Sequence, residues 1–178
     1  MSISVVLNFV CFQALWFSCV VGAGAYNLNW LAVASIAPIA AVIAFTKSRT
    51  ADLAIAVLAV CIGMIIDNIW VSLGILSYPG YSFAPFWIGI LWFGLGLTIN
   101  HSMAMFRDRY IIGSLIVGAF APVTYLTGQR FGAVVIEDLW LTPLICVTWF
   151  VVFLGLAKFA LWLADADDRQ LVGHPRNG

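Results

Sequence analysis

Residues 53–76 read LAIAVLAVCIGMIIDNIWVSLGIL, an apolar run from Leu53 to Leu76 broken by one carboxylate, Asp67, with Asn68 beside it. The run exceeds the roughly 20 residues needed to cross a bilayer core as a helix. A lone carboxylate at that depth costs about 2.5–3.5 kcal/mol on insertion scales, so a chain that keeps one gives it a partner, a proton or a job. The segment thus predicts both a fold, spanning helices, and a polar spot inside them.

Composition extends this reading to the whole chain. With 63% hydrophobic and 9% charged residues, the 178-residue chain carries more apolar surface than a soluble core of that size can hide. Five or six spans of about 20 residues fill it, with no room for a second soluble domain. Formal net charge is zero and basic residues form no tract, which argues against nucleic acid as a partner. Cys11, Cys19, Cys61 and Cys146 lie inside apolar segments without CxxC or metal-like spacing, and read as small core residues.

Six apolar runs stand out: Val5 to Gly22, Trp30 to Phe45, Leu53 to Leu76, Pro85 to Phe106, Ile111 to Thr127 and Leu139 to Ala164. No lysine or arginine precedes Lys47, so the first run is kept as a span and not as a cleaved leader. The expected fold is an all-α, polytopic transmembrane helical bundle of six spans in one domain, residues 1–164. A polar tail, residues 165–178, is expected to be a frayed, solvated end. With both termini cytoplasmic, Lys47, Arg49, Arg107, Arg109, Lys158, Arg169 and Arg176 fall on or near the inner side and Arg130 alone lies outside, the bias expected of an inner-membrane protein. Trp30, Tyr78, Tyr81, Trp87 and Trp140 then gather at the outer boundary.

A rise of about 1.5 Å per residue puts Asp67, Gln13 and Trp16 roughly 9–13 Å below the outer helix ends, in one layer, with Tyr125 somewhat shallower. Asn100 and His101 lie near the cytoplasmic end, too far away to join them. Gly63, Asp67, Trp70 and Gly74 follow at offsets that share a helix face, so a neighbouring backbone is expected to pack closely along that stripe. The candidate intramembrane site is therefore Asp67, Asn68, Gln13, Trp16 and Tyr125. Gln13 is read as an interhelical hydrogen bonder. Arg130, in the outer loop with Glu137 and Asp138, either forms a local solvent-facing ion pair or offers a planar fork to a lipid headgroup or anion.

An ordered set of residues also carries a family resemblance. Asn8, Phe12, Gln13, Trp16, Phe17 and Cys19 open it, and Gly63, Asp67 and Gly74 follow. Pro85, Trp87, Leu91 and Trp92 come next, then Gly118, Pro122, Tyr125, Gly128, Gly132 and Ala133. In this order the chain resembles the bacterial domain-of-unknown-function 2878 family of small inner-membrane proteins. The resemblance transfers no catalytic residue. It implies a role around acyl chains or envelope lipids, by the association of members with lipid-modifying genes, with membrane lipids and a lipid-modifying membrane protein as the expected partners.

Three classes of function are consistent with these residues. The favoured one is an accessory component of envelope lipid or fatty-acyl modification, which needs only packing surfaces. A small transporter or channel would use Asp67 as a coupling or binding group near mid-depth; Pro38 and Pro122, each in the middle span of its half, fit an inverted repeat. An integral-membrane enzyme would use Asp67 as acid or base with Tyr125, Arg130 or Glu137 nearby. Only His101 and His174 occur, so histidine-rich di-iron boxes and a bis-histidine haem in the bilayer are excluded. There is no GxSxG elbow, phosphate loop or dinucleotide fingerprint, and no cofactor or metal is expected.

Overall fold

The computed structural model describes residues 3–27, 49–138 and 142–173, together with positions 36, 40 and 140. The expected second span, Trp30 to Phe45, lies outside the described residues. Among the described residues four helices are long and apolar enough to cross a membrane: α1 (Ile3–Gly24), α2 (Arg49–Ser72), α5 (Tyr110–Arg130) and α6 (Thr142–Gly173), the last through Ala166. Two shorter helices, α3 (Phe86–Gly96) and α4 (Ala104–Asp108), lie between α2 and α5. The chain is a membrane protein, nearly all-α. The exception is a pair of two-residue strands, β1 (Leu76–Ser77) and β2 (Val135–Ile136), joined antiparallel with Leu76 opposite Ile136.

The fourth expected span is not one helix. Helical bonding stops at Gly96, and residues 97–103 continue as tight turns in which Thr98 donates to the Leu95 carbonyl and His101 to that of Thr98. Such backbone is tolerated at membrane depth only where protein covers it, and Leu95, Gly96, Leu97, Thr98 and Ile99 are all buried. The segment runs antiparallel to α2: Trp92 packs on Gly63, Gly96 on Ala56, and Asn100 reaches Asp52. It thereby covers most of the thickness that α2 covers.

Three helices end alike on the side of the β pair. After α2 the Ile75 amide donates to the Trp70 carbonyl and that of Gly74 to Val71; after α5 the Ala133 amide donates to Gly128 and that of Gly132 to Gln129. These are Schellman closures, which require a left-handed residue, and Gly74 and Gly132 supply it with φ of 66° and 77°. Gly74 therefore terminates α2 and does not extend the packing stripe. At the end of α1 the same closure is made by Tyr26, the one described non-glycine residue with positive φ, 54°.

The closures turn the chain after α2 and α5 toward each other, which is what pairs β1 with β2. At the far end of the molecule, α6 is continuous to Gly173, so much of the expected tail extends the helix instead of fraying. The core runs through Leu15, Cys19, Ile55, Ala59, Trp70, Trp87, Trp92, Ile145, Phe153 and Leu156.

Candidate functional site

The site is built from two constraints on α2. Helical spacing puts Gly63, Asp67 and Trp70 on one buried face. Gly63 has no side chain, so the Trp92 ring lies directly on the α2 backbone, and any Cβ there would collide with it. This close approach aims the indole N–H of Trp92 at Asp67, with Nε1 2.7 Å from Oδ2. The other oxygen is met from the loop after β1. Pro79 and Gly80, the latter with φ of 82°, turn the chain as a type II turn requires, and the Tyr81 amide donates to the Tyr78 carbonyl. Tyr78 thereby points inward, and its hydroxyl donates to Asp67 Oδ1 at 2.6 Å. Burial pushes the Tyr78 phenol well above its ordinary range and the Asp67 carboxyl beside it acts in the same sense, so the hydroxyl keeps its proton.

Asp67 itself is 1% exposed. Around it, Tyr78 packs edge-on against Trp87 with centroids 5.6 Å apart, and Trp92 stacks on Trp149 of α6 at 4.7 Å. Trp70 meets Tyr125 of α5 edge-on at 5.5 Å, so the third and fifth expected spans are neighbours at this level. The Tyr125 phenol faces the same carboxyl. The Trp149 Nε1 is buried and faces the Tyr125 hydroxyl, but makes no well-formed hydrogen bond among the described residues.

These groups open onto a cavity of about 730 Å³, within the range of small-molecule sites. Asp67, Gln13, Trp16 and Tyr125 all line it, together with Tyr78, Trp87, Trp92 and Trp149. The remaining lining is chiefly Phe, Leu, Ile and Val side chains. The Gln13 amide, half-buried, makes no hydrogen bond with any described residue. Both ends of α1 are fixed beside this cavity. Asn8 donates to the Leu97 carbonyl and accepts from the amide and hydroxyl of Ser102, while Gly24 sits on the Phe131 carbonyl. Between these ties the rim residues Phe9 and Phe17 of α1 and Phe120 and Val123 of α5 are exposed, Phe120 by 62%.

Two candidates lie elsewhere. Asn68 donates to the Met64 carbonyl and accepts from the Ala84 amide, so it ties the turn after β1 to α2 and is not a cavity group. Arg130 is exposed at the end of α5, away from the lining and without an ion pair among the described residues. Glu137 accepts from the Ser77 hydroxyl, and Asp138 from the Trp140 amide. The constellation of Asp67 with Arg130 or Glu137 is therefore not assembled.

A second buried carboxylate went unread in the sequence. Asp52, in the first turn of α2 and 1% exposed, accepts from Asn100 at 2.7 Å and pairs with His101 Nε2 at 2.8 Å. Arg107 donates to Asn100 and to Asp108, extending this cluster to the surface. Asp52 stands just before the apolar run that opens at Leu53, where a charged residue reads as part of the preceding polar segment. Its signal was spacing: Asp52 and Asp67 lie close to the same helix face.

No group of three or more His, Cys, Asp or Glu suited to a metal occurs among the described residues. Neither the curated proteins nor the solved structures contain a match to this chain. A family model does match, over residues 5–156, most of the chain and every cavity residue named above. The protein therefore belongs to the family described as Protein of unknown function (DUF2878).

Proposed function

We propose that this protein crosses the bacterial inner membrane six times with both termini cytoplasmic, holds a lipid in the cavity beside Asp67, and serves as an accessory component of envelope lipid or fatty-acyl modification. The observation that carries the reading is the cavity: it is apolar over most of its wall, lies inside the bundle, and has a rim of exposed phenylalanines where hydrocarbon would meet it. On α1 the lining runs from Phe9 to Val20 and on α5 from Val117 to Gly128, each a span of roughly 16 Å by helical rise, which suits an extended chain lying along the bundle. Distribution of lysine and arginine supports the orientation.

The test is purification in native-lipid discs with mass spectrometry of the retained lipids, beside lipidomics of a deletion strain complemented with wild type or Asp67 variants. One or a few species enriched over the bulk membrane, and changed in the deletion strain, are expected. A retained profile equal to the bulk membrane sinks the reading.

One observation favours a second reading, a small transporter using Asp67 as its binding or coupling group: no lysine, arginine or histidine among the described residues lines the cavity that holds this carboxyl. Ion-dependent uptake into proteoliposomes, lost in Asp67→Asn, would support it. Its absence alongside specific lipid retention would leave the first reading standing.

A further inference from the structure

The polar groups of the cavity also select a head. We infer that the occupant is a single-chain amphiphile whose head is uncharged and hydrogen-bonding, such as a long-chain alcohol, and that Gln13 and Trp149 are the groups that receive it. The inference rests on the lipid-holding reading and adds the chemical class.

Charge decides first. Among the described residues the lining contains no lysine, arginine or histidine and does contain a carboxyl, so a phosphate or carboxylate head would be buried there without a counter-charge. A cationic head is disfavoured for a different reason. Asp67 is almost wholly covered, with Tyr78, Trp92 and Tyr125 packed against its two oxygens, so an ammonium could reach them only by displacing those side chains.

What remains open is neutral. The hydroxyls of Thr98, Ser102 and Thr124 are already donated to Leu95, Asn8 and Ala121. Gln13 has both donors and its acceptor free of described partners, and the buried Trp149 Nε1, which faces the Tyr125 hydroxyl, makes no well-formed bond with a described residue. An unsatisfied buried donor is costly, and a hydroxyl or carbonyl oxygen is what would satisfy it without bringing charge. A cavity of about 730 Å³ has room for one acyl or prenyl chain with a small head.

The experiment uses the full chain in nanodiscs and three mid-chain brominated amphiphiles of equal chain length, an alcohol, a fatty acid held ionised and a trimethylammonium. Saturable quenching of tryptophan fluorescence is read, since Trp16, Trp87, Trp92 and Trp149 line the cavity. The alcohol should bind about tenfold more tightly than either charged analogue. Gln13→Leu should weaken it by a similar factor while leaving the unfolding temperature unchanged, because the Gln13 side chain makes no bond within the described residues. Equal or tighter binding of a charged analogue, or no loss in Gln13→Leu, overturns the head assignment and leaves the lipid reading intact. No saturable quenching by any of the three, as when the cavity is filled by protein, overturns both.

Discussion

Asp52 and Asp67 are both buried, sit on one helix and are both held by the antiparallel segment 86–101, yet they are supported in opposite ways. Asp52 lies in the first turn of α2, where the helix dipole favours negative charge, and it is bonded to an amide and an imidazole with Arg107 one bond further on. Asp67 lies near the other end of α2, without that help, and its hydrogen-bond donors are an indole and a phenol. Packing alone accounts for the first: it is an anchor placed where a carboxylate is welcome. The second is placed where a carboxylate is unwelcome and opens onto a cavity, and the proposed reading takes it to be kept for what it binds there.

The largest expected effect tests that contrast at its source. Asp67→Leu orphans two buried donors and should destabilise the bundle by about 2–5 kcal/mol in thermal or denaturant unfolding in detergent. Asp67→Asn, which keeps a carbonyl acceptor, should lose less. Next, Gly63→Ala drives a methyl into the Trp92 ring and should cost about 1–3 kcal/mol, with a shift in tryptophan emission as the indole leaves Asp67.

Asp52→Asn comes third, at about 1–2 kcal/mol, and it should leave lipid retention unchanged because Asp52 does not line the cavity. Equal loss of lipid retention in the Asp52 and Asp67 variants would erase the distinction between the two ends. Arg107→Ala should be smallest, about 1 kcal/mol by the same unfolding assay, since its charged partner Asp108 is largely exposed and its other partner, Asn100, is a neutral amide.

Much of the architecture was legible because lipid leaves a long apolar run few choices, and the runs around α1, α2, α5 and α6 appear where expected. Residues 94–100, GLGLTIN, were read through as helix although two glycines and a polar pair follow one another there. Their conformation depends on being covered by neighbouring helices, which no local pattern reports. Two-residue strands carry no periodicity and could not be foreseen. Asp67 was visible as a charge in a greasy run, whereas Trp92, Tyr78 and Trp149 were not, because aromatic residues are ordinary in membrane helices and only the tertiary contacts single these out. Gly74 shared the spacing of the Gly63 stripe, but helix α2 ends before it, and spacing alone cannot separate a packing glycine from a closing one.

The two ties on α1, Asn8 at one end and Gly24 at the other, set how a neighbour could be let in. A rod clamped at both tips widens a seam only by bowing in the middle, so the admission gap grows in width while its length stays fixed. Under the proposed lipid reading, slender tails would slip through such a slot and rigid fused rings would be turned away.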